Sequence, residues 1–227
     1  MRSIEIIPTC VPQQAEDLQK AGQAISPFAR SIHVDIDDDI FTPVLTWPYV
    51  EKGKWKDFEL GLEGFKVHMH LMISEPHELG AAFARKGAYS IIAHLEGFSD
   101  RSKTLDTLNT FRASGAAEVG LGLLMHTPLE ELEPFITACD FVHLMSIATV
   151  GTQGIPYEAR APKRIADFHA QHPGMPISVD GGVSLENIAD LARAGATRFG
   201  VGSAISKAED PKAAYQALKV AAENALQ

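Results

Sequence analysis

The sequence predicts an α/β protein built as a single (β/α)8 (TIM) barrel over residues 1–227, with a phosphate-binding site at its seventh and eighth strands. Three observations carry that expectation. Short β-rich runs alternate with amphipathic segments nearly from end to end, most connections between them are short, and a glycine-rich turn follows each of the last two runs. Such alternation lays parallel strands inside a layer of helices, and eight repeats favour a closed barrel over an open sheet. At 227 residues, 45% of them hydrophobic, the chain can bury a full core, and no break in composition divides it.

Taken in order, the expected strands are 4–7, 31–35, 66–72, 89–94, 118–124, 141–147, 176–180 and 197–201, each short, apolar and rich in β-branched residues. Helical patterns rich in Ala, Leu, Glu and Lys fall at 13–24, 76–86, 101–114, 129–137, 157–171, 185–194 and 211–224. Lys86-Gly87-Ala88 and Ala194-Gly195-Ala196 read as helix C-caps that turn the chain into the fourth and eighth strands. One unit breaks the rhythm. Residues 40–64, after the second strand, carry prolines, glycines and aromatics with no helical period, and read as an irregular loop insertion with at most a short helix. A long loop of this kind suits a functional lid or a plain surface excursion, and its aromatics between Trp47 and Leu60 could equally pack a subunit interface.

Composition excludes several classes of function. The net charge is −9 and the basic residues are scattered, so nucleic acid is not an expected partner. No uncharged apolar run approaches membrane-spanning length, and the segment before Pro8 has one basic residue and is broken by Glu5, unlike a signal peptide. Cys10 and Cys139 are the only cysteines and form no CxxC pair. A cytoplasmic protein is expected.

Chemistry gathers at the strand ends. Alternation along a strand puts His33 and Asp35 on one face, and His68 and His70 likewise, while Asp180 ends the seventh strand. In a barrel of this kind those ends meet at one rim, where His33, Asp35, His70 and Asp180 could hold one divalent cation. Such a cation polarises an oxygen and stabilises an enediolate. Asp35 and Asp180 come from strands well apart, so they could face opposite sides of a flat enediolate and invert a carbon by removing and returning a proton. His68 and His143 read as interior core histidines, His94 as a residue that could touch substrate, and His126 as a loop residue. After the seventh strand Asp180-Gly181-Gly182-Val183-Ser184 leads into a helix, and Gly200-Val201-Gly202-Ser203 follows the eighth; glycines there let backbone amides approach a phosphate. Gly151-Thr152-Gln153-Gly154, after the sixth strand, could close over a substrate from the side.

Ile32-His33-Val34-Asp35-Ile36-Asp37-Asp38, His70-Leu71-Met72 with Glu75-Pro76 behind it, Ala93-His94-Leu95-Glu96, Val179-Asp180-Gly181-Gly182-Val183 and Gly200-Val201-Gly202-Ser203-Ala204-Ile205 occur together and in order. Jointly they resemble the ribulose-phosphate 3-epimerase family over most of the chain. The resemblance implies an isomerase that interconverts D-ribulose 5-phosphate and D-xylulose 5-phosphate through an enediolate, with zinc or ferrous iron, as a homo-oligomer. It also implies His33, Asp35, His70 and Asp180 as metal ligands, Asp35 and Asp180 as the acid–base pair, and Met72 and Met145 as parts of an apolar cover over the enediolate. Thr9 or Cys10 falls where the family has a strand-one serine.

Departures surround the sugar rather than the metal. Asp37 stands where the family carries another cover methionine, and the loops at 149–154 and 47–60 differ from the family pattern. Three alternatives therefore stand beside ribulose 5-phosphate: another phosphorylated sugar, a related decarboxylase or aldolase barrel, or a non-catalytic sugar-phosphate-binding homologue. The decarboxylase and aldolase pattern Asp-x-Lys-x-x-Asp is broken, because Asp37 occupies its lysine position.

Overall fold

A computed structural model of the chain describes residues 3–151 and 154–226. Its strands are β1 (Glu5–Cys10), β2 (Ser31–Asp37), β3 (Tyr49–Glu51), β4 (Lys54–Trp55), β5 (Lys66–Met72), β6 (Ser90–His94), β7 (Glu118–Leu123), β8 (Phe141–Met145), β9 (Ile177–Asp180) and β10 (Arg198–Val201). Eight of these close into a barrel in the order β1-β10-β9-β8-β7-β6-β5-β2, every neighbouring pair parallel. Around it lie α1 (Ala15–Ile25), α2 (His77–Arg85), α3 (Thr104–Ala113), α4 (Ala161–Gln171), α5 (Ile188–Ala194), α6 (Ser203–Ser206) and α7 (Pro211–Asn224). This is the (β/α)8 barrel that the sequence predicts.

The helices are held by apolar faces laid on the outside of the barrel. Leu18 of α1, Phe83 of α2, Phe111 of α3, Phe168 of α4 and Leu218 of α7 are all essentially fully buried, each worth roughly 1.5–3 kcal/mol of transfer free energy. Asp17 Oδ2 accepts from the Gln13 and Gln14 amides and caps α1.

Three elements depart from expectation. The helix expected at 129–137 is instead a 3-10 segment, Leu129–Ala138. Pro134 inside it lacks an N–H and would clash with the carbonyl one α-turn back, so the backbone tightens while still burying Leu132 and Phe135. The expected 157–171 helix starts only at Ala161, because Tyr157 bridges to Ile147. The first strand runs past Pro8 to Cys10, where Thr9 pairs with His33.

The 40–64 excursion carries the antiparallel β3–β4 hairpin rather than a helix. Its aromatics turn inward: Trp47 is buried with its ring centroid 5.0 Å from Phe58, which lies 4.5 Å from Phe83 of α2. Ile40 and Val50 remain more than half exposed.

The inside of the barrel is unusually polar. At its N-terminal end, Arg198 donates two hydrogen bonds to Glu118, at 2.6 and 2.9 Å, and its Nε lies 3.3 Å from Glu5. Ser31 donates to Glu5 in turn, at 2.9 Å. Higher up, two glycines on the inward face of β7 make room for rings: a Cβ at Gly120 would lie 2.7 Å from Phe141, and one at Gly122 would lie 3.1 Å from His94.

Candidate active site

The strand period sets the site. His33, Asp35 and Asp37 share a face of β2, His70 and Met72 of β5, His143 and Met145 of β8, Ser178 and Asp180 of β9. That face points into the barrel, since His33 and His143, from strands on opposite sides of the ring, stack with centroids 5.5 Å apart. Registers bring Asp35 beside His70 and Met145 beside Asp180 at the C-terminal ends.

Four of the expected residues converge. His33 Nε2 lies 3.2 Å from Asp35 Oδ1 and 3.9 Å from Asp180 Oδ2; His70 Nδ1 lies 2.8 and 3.8 Å from the same two oxygens. One ligand atom from each of His33, His70, His143 and Asp180 all fall within 4.8 Å of one another. Neutral imidazoles with carboxylates suit a divalent transition metal, and the spacing fits a single ion. This cluster can hold a metal ion. His143, which the sequence places in the core, thus belongs to the group; its readable signal is that it sits two residues before the inward Met145.

Behind His70 runs a buried chain of polar contacts. His70 Nε2 lies 2.8 Å from His94 Nε2, and His94 Nδ1 lies 3.4 Å from Glu96. Glu96 accepts from the Leu124 amide at 2.8 Å and from the Thr127 hydroxyl. The structure thus places His94 fully buried behind His70, and it is not among the residues that line the cavity. His68 is an interior residue paired with Ser90 Oγ at 2.8 Å, and His126 is exposed.

Electrostatics separate the two central carboxyls. Burial would raise Asp35, but the contacts with His33 and His70 outweigh it and hold that carboxyl well below its usual range. Burial and then the Asp35 charge push Asp180 up to about 7, against the opposing His33 and the Gly181 amide. The two carboxyls are thus pushed in opposite directions by their surroundings, a separation that acid–base chemistry can use. Burial likewise raises Asp37 to about 7, despite the hydrogen bond it accepts from Thr42 at 2.7 Å.

A cavity of about 290 Å³ opens over this cluster. Asp35, Asp37 and Asp180 face it from the floor and wall, Met72 and Met145 form an apolar flank with the buried Val150, and Thr9 and Gly151 lie on its rim. Thr152 and Gln153 of the loop after β8 lie outside the described residues. At the far end are Gly181, Gly182, Gly202 and Ser203, with Lys207 beside them. Gly181 and Gly182 have φ of +107° and +68°, which a side chain would strain. Ser146, through its hydroxyl, donates to the Asp180 and Gly181 carbonyls at 2.9 and 2.6 Å and fixes that turn. Lys207 is a residue the sequence reading misses; a lysine one turn past Gly202-Ser203 is the signal that could have found it. A larger groove of about 650 Å³ lies between the hairpin, α2 and α3, and contains none of the clustered histidines.

Comparison with known proteins points the same way. Residues 5–206 match the model of the ribulose-phosphate 3 epimerase family. The chain is 31% identical over 195 residues to a ribulose-phosphate 3-epimerase of Mycobacterium tuberculosis, covering 83% of this chain and 80% of that one. It is 28% identical over 214 residues to the one of Aquifex aeolicus, covering 92% and 90%. Among solved structures, KGPDC from Streptococcus mutans superposes with a TM-score of 0.65 at 11% identity, over 99% of this chain and 100% of that one. Orotidine 5'-phosphate decarboxylase from Pyrococcus horikoshii OT3 gives 0.59 at 18% identity, over 96% of this chain and 99% of that one. These last two speak for the barrel alone. The match over nearly the whole chain assigns it: the protein belongs to the ribulose-phosphate 3-epimerase family and is an enzyme of the isomerase class.

Proposed function

We propose that this enzyme inverts C3 of a ketose phosphate, with D-ribulose 5-phosphate and D-xylulose 5-phosphate as the first pair to test. The observation that carries the reading is the pair Asp35 and Asp180, set on well-separated strands around one cavity and pushed in opposite directions by their surroundings. Asp35, ionised, takes the C3 proton; the electron pair left behind is delocalised through C2 onto its oxygen as an enediolate. Asp180, still protonated, returns a proton to C3 from the opposite face. Exchange with water then restores both carboxyls, and the reverse reaction uses the two in swapped roles.

His33, Asp35, His70 and Asp180 are the proposed metal ligands, with zinc or ferrous iron the candidates. A divalent cation held there would polarise the C2 oxygen and offset the charge of the enediolate. Met72 and Met145 keep water from the reacting face. Backbone amides around Gly181, Gly182, Gly202 and Ser203, with Lys207, receive the phosphate. A homo-oligomeric cytoplasmic enzyme is the expected state, supported by the cysteine usage and by the family. Among the described residues no helix is long and apolar enough to cross a membrane.

Asp37 favours a second reading of the substrate. A carboxyl facing the cavity can accept from a sugar hydroxyl, so a different phosphorylated sugar is the alternative. Proton NMR of D-ribulose 5-phosphate in D2O with metal-analysed protein tests both. Loss of the C3 proton together with growth of xylulose 5-phosphate supports the first reading; bound metal with no C3 exchange removes it and leaves other ketose phosphates.

A further inference from the structure

We infer that His143 is a further ligand of the divalent metal, beside His33, Asp35, His70 and Asp180. The inference deepens the metal-dependent reading above and rests on it.

The geometry is the first argument. The His143 ring lies with its centroid 4.5 Å from that of His70 and 5.5 Å from that of His33, and it offers a ligand atom to the group that also contains Asp180. Which nitrogen is available follows from its partners. His143 Nδ1 lies 2.9 Å from Ser178 Oγ, while Nε2 is buried with no hydrogen-bond partner. If the ring donates its Nδ1 proton to Ser178, Nε2 presents a lone pair toward the other ligands. Metal-bound histidines are commonly held in this way, with one nitrogen on the ion and the other donating to a fixed oxygen.

The second argument is the placement of the donor atom. One donor atom each from His33, His70, His143 and Asp180 lies within 4.8 Å of the others, so an ion held by the proposed ligands would lie within reach of His143 as well. His68 provides the contrast. It too is buried, with Nδ1 on Ser90 Oγ and Nε2 without a partner, yet it lies outside the cluster. An orphan nitrogen alone therefore does not select His143; its position among the other ligands does.

Cobalt(II) is the probe. It is added to metal-free wild-type protein and to the His143→Leu, His143→Gln and His68→Leu variants, reading affinity by chelator competition and the ligand-field absorption bands. Both His143 variants are expected to lose at least about 10-fold in affinity and to change the bands, that loss being the low end for removing even a supporting group, whereas His68→Leu changes neither. In wild-type protein with 15N-labelled histidine, zinc should shift a nitrogen of three rings, a readout that needs no variant to fold. Wild-type affinity and bands in the His143 variants, or only two shifted rings, would overturn the inference and leave the metal reading standing. Absence of cobalt and zinc binding by the wild type would remove both.

Discussion

At the N-terminal end of the barrel, Arg198 meets Glu118 through two hydrogen bonds and Glu5 through a third contact, and every charge faces an opposite one. At the C-terminal end of the same barrel, Asp35, Asp37 and Asp180 crowd together among imidazoles, and two of the three carboxyls are pushed up to about 7. The paired end holds strands in register and asks nothing of a ligand. The crowded end keeps like charges and an unpartnered His143 nitrogen in a buried place, an arrangement that a bound cation and substrate would relieve. Polar residues inside a barrel therefore divide by whether their charges are already satisfied.

Substitutions at the two ends should separate cleanly. The largest effect belongs to the crowded end: Asp180→Asn should slow C3 epimerisation by about 10³-fold, measured by NMR, while its thermal unfolding at pH 8 stays at or above that of the wild type. Arg198→Met should do the reverse. Breaking that half-buried ion cluster should cost about 2 kcal/mol of stability in chemical denaturation, with the turnover rate of the folded fraction unchanged.

The third expectation concerns pH. A carboxyl whose folded-state pKa lies above its unfolded value contributes stability that is complete below the unfolded value and is lost as pH rises through the folded one. For Asp37, raised from 3.8 to about 7, that window is bounded by those two values. Asp37→Asn removes the loss, so it should stabilise the protein by up to about 4 kcal/mol at pH 8 and by progressively less toward acid, as denaturant midpoints across pH would reveal. Equal gains at all pH values would contradict the burial of an ionisable Asp37. The smallest effect is at the phosphate end: Lys207→Ala should raise KM about 10-fold with kcat little changed, because an exposed lysine contributes binding shared by ground and transition states.

Much of this was legible in the sequence for definable reasons. Barrel strands announce themselves as short apolar runs, and period-two alternation then puts His33 with Asp35 and Asp180 at a strand end without any knowledge of contacts. What was hidden needed three dimensions. His143 joins the cluster only because β8 lies across the ring from β2, which no local pattern records. The buried placement of His94 depends on the space left by Gly122 of the neighbouring strand. The hairpin after β2 was missed because its strands are only three and two residues long, below the length at which alternation can be read. Leu129–Ala138 follows an apolar helical pattern, and Pro134 decides its geometry.

The most direct test of the two-carboxylate account is C3 proton exchange in D2O by Asp35→Asn and Asp180→Asn, each given ribulose 5-phosphate and xylulose 5-phosphate separately. Opposed carboxylates predict that each variant exchanges the proton of one epimer only, that the two variants choose different epimers, and that neither interconverts them. Exchange of both epimers by a single variant would place the proton transfers on one group and contradict the account.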